Sequence, residues 1–248
     1  MKKVLILITA VGFALTAQAA VVYTTQHGPL STSFDAQIAV NDVIAGLIGT
    51  ELPGDLGWHP ANGDPLDKLP AFTDGIGIRP TGLTGLLNDF PPAGAPAKIV
   101  RYDFPTVSIA GINILTGNNG RDGRVFSTTV IRYSLDGTNF APLGYFQSDP
   151  SGTINQGTWG STLVSIYDDA SGTLLAGVQS LIFELYAVDN TGGQMRDPFD
   201  GVNPWTGADD GLTAAFVSPL VFELDVIAVP EPAALGLLAL GVLVLRRR

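Results

Sequence analysis

Several short stretches of this chain place apolar residues at every second position. Residues 129–135 alternate cleanly: Ile131, Tyr133 and Leu135 face one way, and Val130, Arg132 and Ser134 the other. Leu181, Phe183, Leu185 and Ala187 form one face of a second stretch, and Leu220, Phe222, Leu224 and Val226 one face of a third. Residues 107–115 carry Val107, Ile109, Ile112 and Ile114 around Gly111. A period of two predicts half-buried strands. Residues 98–104, 143–146 and 163–167 are further strand candidates, and Gly, Asp, Asn and Pro clusters at 117–123, 136–137 and 149–152 separate the runs. Many short strands with turn-rich connections predict an all-β fold, a β-sandwich of jelly-roll type. One short helix is expected over 42–47 or 42–48, capped by Asn41, with Asp42 favouring the dipole and Val43, Ile44, Leu47 and Ile48 on one side. Residues 50–96 and 192–211 read as long ordered loops, which often bind something.

The two ends break this pattern. Lys2 and Lys3 precede an apolar run over 4–15, and Ala17-Gln18-Ala19 is a small-x-small cleavage site. This is the form of a secretory signal peptide over 1–19, with a mature chain starting near Ala20. At the other end Pro230-Glu231-Pro232 leads into 13 small and apolar residues, 233–245, and then Arg246, Arg247 and Arg248. The arginines favour the cytoplasmic side of a membrane. The run is short of the roughly 20 residues of a comfortable helical span, and Gly236 and Gly241 weaken its helix propensity. A transient inner-membrane anchor fits better than a permanent transmembrane helix. Three units follow: a signal helix over 1–19, a β domain over 20–228, and a tail with an apolar helix over 229–248.

Pro-Glu-Pro, apolar segment and arginine cluster, in that order, resemble the PEP-CTERM sorting tail. The resemblance implies that the membrane protease exosortase recognises the signal and removes the tail. It also implies export across the inner membrane to the cell surface or the exterior, often beside exopolysaccharide and biofilm matrix.

Charge narrows the partners. From Ala20 to Pro232 lie eight basic and 23 acidic residues, a formal charge of −15. That argues against nucleic acid and anionic lipid, and suits a surface protein or a binder of divalent cations. The chain has no cysteine, so stability rests on a core rather than on disulfides.

The stretch 130–140, with Ser134-Leu135-Asp136-Gly137-Thr138-Asn139-Phe140, resembles the hairpin of discoidin, or F5/8 type C, domains, which are galactose-binding-like jelly rolls. Asp-Gly suits a tight hairpin turn, and Phe140 is expected to return an aromatic ring to the core. Pro70-Ala71-Phe72-Thr73-Asp74-Gly75 resembles the early loop of that family, and residues 221–226 its closing strand. By motif position the resemblance implies a structural calcium held by Asp74 and Glu223. Ile76 and Gly77 depart from the polar residues found there in relatives. The alternative for Asp74 and Glu223 is turn and strand chemistry without metal. The acidic loop 189–210 lacks EF-hand spacing and reads as turn chemistry and solubility, with a second calcium site as the alternative.

Aromatic residues in loops offer sugar-stacking platforms. Trp58, Trp159 and Trp205 all lie beside Gly, Pro or Asn, with His59, Arg121, Arg124 and Tyr145 as candidate polar partners. Trp205 is the first choice for exposure; the alternative is that each indole caps the core. No nucleophile, zinc or phosphate-loop motif occurs, so a non-enzymatic protein binding extracellular polysaccharide is expected. A structural surface protein making protein contacts and a glycan-modifying enzyme are the alternatives.

Overall fold

The computed structural model describes residues 21–29, 39, 41–77, 82–118, 122–149 and 152–230. The signal peptide, Arg121, Glu231, Pro232, the apolar tail and Arg246 to Arg248 lie outside them. Among the described residues no helix is long and apolar enough to cross a membrane.

Among the described residues eight antiparallel strands form one nearly closed sheet: β1 (Val21–Gly28), β2 (Thr50–Glu51), β3 (Lys98–Gly117), β4 (Thr128–Ser134), β5 (Ala141–Gln147), β6 (Ser161–Asp168), β7 (Leu175–Leu185) and β8 (Val221–Ala228). The main path runs β1-β6-β3-β7-β4-β5, with β2 and β8 on the other edge of β3. The stretches 98–104 and 107–115 are one strand of 20 residues, not two. Its first half pairs with β7 and β2, its second with β6 and β8. Register shifts between Asp103 and Ile109 mark the change. Such irregularities bend a strand and increase its twist, which lets one strand serve both ends of the sheet. The edges β1 and β5 then face each other, and the Tyr23 ring meets Phe146 edge-on at 5.6 Å.

The alternating faces turn inward. Ile131, Phe183, Leu185, Leu224 and Val226 join Tyr102, Ile112, Ile114 and Ile166 in the main core cluster. Strand β8 is buried on both faces: Phe222 packs in a second cluster with Leu115 and Leu163, while Val221, Glu223 and Asp225 are buried opposite. Gly85 explains the close cover on β8. It has φ +62°, and a Cβ there would lie 1.7 Å from the Val221 carbonyl oxygen.

Four expectations change. Residues 41–46 form turns, with Leu47 N–H donating to the Ile44 carbonyl at 2.8 Å. The reason is Asp42: its carboxylate accepts from Val226 N–H at 2.7 Å and Ile44 N–H at 3.1 Å, tying the segment to β8. Ile48 is consequently exposed. Among the described residues the helical structure consists of short 3-10 turns at Pro65–Asp67, Leu69–Phe72 and Gly123–Val125. Phe140 lies outside the main core, 5.1 Å beneath the Arg101 guanidinium. Leu135, at the end of its alternating run, is exposed. Strand β1 was missed altogether: its Val, Tyr and Thr residues favour strand but do not alternate in polarity.

Candidate cation centre and binding face

Glu223 and Asp225 are two apart on β8, so their side chains leave the same face. The turn at 41–46 brings Asp42 to them. One carboxylate oxygen from each residue lies within 4.8 Å of the other two. Two oxygens on one calcium, each at 2.3–2.6 Å, can be about 5 Å apart at most, so the spacing fits a shared ion. Both Glu223 oxygens accept from Gly75 N–H, at 3.1 and 3.2 Å. One Asp225 oxygen accepts from Asn113 Nδ2 at 3.1 Å and Ala39 N–H at 3.2 Å. Its other oxygen is buried without a partner, as is the Tyr102 hydroxyl.

Among the described residues no cation pairs with any of the three carboxylates. Burial pushes Glu223 up to about 9, with the charges of Asp225, Asp74 and Asp42 adding to it. Burial also raises Asp42 to about 6 and pushes Asp225 up. The Tyr102 hydroxyl is driven far above its usual range by burial first and by Glu223 and Asp42 after it. Clustered buried carboxylates must hold protons or a cation, and an all-oxygen donor set suits a hard divalent ion. Asp74 sits at the rim. Its Oδ1 accepts from Ile76 N–H at 2.8 Å, while the next residue, Gly75, reaches Glu223. The sequence motif does not single out Asp42 or Asp225; the one signal it carries is the spacing of Asp225, two residues after Glu223 on a strand.

The aromatic candidates separate into three places. Trp58 packs on Phe72 and donates from Nε1 to Glu51 at 2.6 Å, and the Lys98 ammonium lies 4.5 Å from its ring centre. Lys98 is fully buried and pairs with Glu51 and Asp55. Trp58 is therefore part of a charge lock around the buried Lys98 ammonium. His59 lies 3.6 Å from Asp89, whose carboxylate takes a two-pronged bond from Arg124 at 2.8 and 2.9 Å. Arg124 also donates to the Ser218 carbonyl, so it fastens loops together. Trp159 stacks on His27 at 4.0 Å.

Trp205 differs: it is 36% exposed. A tight turn presents it, with Asn203 accepting from Trp205 N–H at 2.9 Å and Gly207 N–H at 2.8 Å. Its ring lies parallel to Tyr145, 9° between planes and 6.4 Å between centres. The Arg132 guanidinium is 5.9 Å from the indole centre and donates to Glu184 at 2.5 Å. Glu184, Val130 and Tyr145 are paired across β7, β4 and β5, and Arg132 is two residues from Val130 on the same face. An aromatic plate with a charged pair beside it is a chemistry that stacks a sugar ring and binds its hydroxyls. Arg132 and Glu184 were not singled out from sequence, because only strand pairing brings them to Trp205.

The loop 189–210 uses its acids to accept backbone N–H bonds, three in local turns and two that tie distant segments. Asp189, Asp197, Asp200, Asp209 and Asp210 accept N–H bonds from Gly123, Phe199, Ala214, Gly211 and Leu212.

Residues 228–248 match the family described as the PEP-CTERM protein-sorting motif. The motif marks a protein exported across the inner membrane, processed by exosortase, and localised to the surface or exterior. The match begins at the last residue of β8, so the sorting signal follows the folded domain directly. A comparison with curated proteins found no match.

Proposed function

We propose that the exported domain is a non-enzymatic, discoidin-like jelly roll that engages extracellular polysaccharide, stabilised by calcium at Asp42, Glu223 and Asp225. The observation that carries the binding role is Trp205: an exposed indole held rigidly by Asn203, backed by Tyr145, with Arg132 and Glu184 beside it. A preorganised aromatic surface loses little conformational entropy on binding. Two carboxylates of the cation cluster sit on β8, which spans the core, so an ion there would tie the turn at 41–46 to the domain's last strand.

A non-catalytic role draws support from the histidines. His27 bonds Thr162 Oγ1 at 3.0 Å and lies 3.8 Å from Asp149, a Thr–His–Asp sequence of contacts. Thr162 is fully buried, so its hydroxyl meets no substrate. His59 faces a carboxylate already engaged by Arg124.

The test is affinity electrophoresis of the exported protein through gels containing the producing cells' exopolysaccharide. Retardation that Trp205→Ala abolishes, with an unchanged melting curve, supports the reading. Equal retardation of both proteins removes Trp205 from binding. Capture of a surface protein without glycan would move the function to protein contacts.

A further inference from the structure

Both ends of the β domain leave from one side. Val22, Tyr167, Gly111 and Ile227 form a single row across β1, β6, β3 and β8. Neighbouring strands lie about 4.8 Å apart, so roughly 14 Å separates the start of β1 from the end of β8. Only Pro230, Glu231 and Pro232 lie between Val229 and the apolar run that starts at Ala233. Three residues reach at most about 10 Å, and the polar layer on one side of a bilayer is roughly 5–7 Å deep. A tail anchored through its apolar run would therefore hold this end of the domain at the membrane surface. Exosortase would have to work in the narrow gap between them.

The free stretch gives a protease little to hold. A segment bound as an added strand is held by main-chain hydrogen bonds, and proline has no N–H to donate. Pro230-Glu231-Pro232 therefore offers one donor, at Glu231. The donors just upstream are engaged in the fold. Val229 N–H donates to the Ser108 carbonyl at 2.8 Å, and Ala228 N–H to the Asn41 carbonyl at 3.4 Å. Yet this is the loosest part of β8. Ile227, Ala228 and Val229 are half-buried, whereas residues 221–226 are all buried. A register shift falls between the Ala228–Ile109 and Ile227–Gly111 pairs, and such a shift interrupts the ladder. Val226 is where the strand becomes firm. It is fully buried, its N–H donates to Asp42 at 2.7 Å, and its carbonyl accepts from Val43 N–H at 2.9 Å.

We propose that the segment exosortase takes up extends into the fold. Ile227, Ala228 and Val229 peel away from β3 and from Asn41, and enter the protease together with Pro-Glu-Pro. Val226, tied to Asp42, is the hinge at which peeling stops. The clasp made by the Asn41 and Ser108 carbonyls then sets the rate at which the tail is removed. Cleavage of a locally opened segment follows the population of the open form when opening and closing are fast. One net backbone bond changes such a population about fivefold. The proposal rests on the sorting motif alone, and on neither the polysaccharide nor the calcium reading.

The experiment is a pulse-chase of the full chain in the producing cells, following the size shift as the tail is lost. A Gly-Ser-Gly-Ser spacer between Val229 and Pro230 leaves the clasp and the sorting signal intact and supplies free donors. Tail removal should become at least about fivefold faster. An equal or slower rate overturns the proposal, and a slower one would mean that exosortase docks on the folded end of the domain. A thermal melt matching that of the unaltered protein separates faster removal from global unfolding. The reverse perturbation is a staple, Asn41→Cys with Ala228→Cys. Asp42 bridges Ile227 in antiparallel fashion, which sets 41 opposite 228, within reach of a disulfide. The natural chain has no cysteine to compete. The stapled protein should keep its tail and lose it once reductant is added. A staple that forms on a non-reducing gel and leaves tail removal unchanged overturns the proposal as well.

Discussion

The proposed calcium site predicts that stability depends on pH and calcium in a coupled way. Glu223 is pushed up to about 9 in the folded protein from an ordinary value of 4.5. In chelator at neutral pH the folded state therefore holds a proton that the unfolded state has released. Stability is full below about pH 4.5 and falls as pH rises toward 9. One proton gives a slope of about 1.4 kcal/mol per pH unit, or about 3 kcal/mol between pH 5 and 7. Asp42, raised to about 6, adds a slope of the same sign between its ordinary value and pH 6. For a domain of about 200 residues each kcal/mol moves Tm by about 2–4 °C. Calcium acts in the opposite direction, because it binds ionised carboxylates and displaces the protons. At 100-fold excess over Kd it adds about 2.7 kcal/mol, and its effect should grow from pH 5 to pH 8. Thermal melts of the exported protein over this range, in calcium or in chelator, read both effects. Glu223→Gln should flatten the chelator slope and reduce the calcium shift. A Tm that rises with pH in chelator, or a calcium shift equal at pH 5 and 8, would refute the reasoning.

Three further outcomes are expected. Gly85→Ala should abolish or severely reduce folding, because its Cβ meets the Val221 carbonyl at 1.7 Å; Gly137→Ala, whose nearest neighbour is 3.9 Å away, should cost about 1 kcal/mol for its left-handed backbone. Equal melting temperatures for the two would contradict the packing of residue 85 on β8. Lys98→Ala should lose about 1–3 kcal/mol in urea unfolding, since the fully buried ammonium is removed and the largely buried Asp55 loses its cation, while Glu51, 41% exposed, stays solvated. Arg101→Ala, which breaks an exposed pair with Asp103, should lose no more than about 1 kcal/mol, and a larger loss than at Lys98 would reverse the argument. Trp58→Ala should lower Tm by opening the lock over Lys98, whereas Trp205→Ala should leave Tm nearly unchanged; differential scanning fluorimetry distinguishes them.

Alternation was a good guide where one face meets the core. Residues 129–135 and 181–185 alternate because β4 and β7 are covered on their inner face, and the strands formed there. The same logic failed where pairing breaks. Residues 98–104 and 107–115 read as two strands because Pro105 and Thr106 interrupt the period, yet the backbone bulges and continues. Strand β1 escaped notice because its inward residues are Tyr23, Thr25 and His27 instead of aliphatics. The turn at 41–46 carries a helix-like apolar pattern, but Asp42 spends its carboxylate on the Val226 N–H, a bond 184 residues distant in sequence. Distance also explains the sites. Glu223 stands out through a motif resemblance, while Asp225, Arg132 and Glu184 acquire meaning only from strand register and Asp42 only from the turn that sets it against β8. The sorting tail was fully readable, because membrane signals are linear and need no fold.

The central claim is that the exported domain binds polysaccharide. Co-sedimentation of the processed protein with the producing cells' own exopolysaccharide, in calcium, tests it most directly. The account predicts saturable binding that free sugars compete away and that Trp205→Ala weakens. A folded protein that stays in the supernatant at every polymer concentration would contradict it.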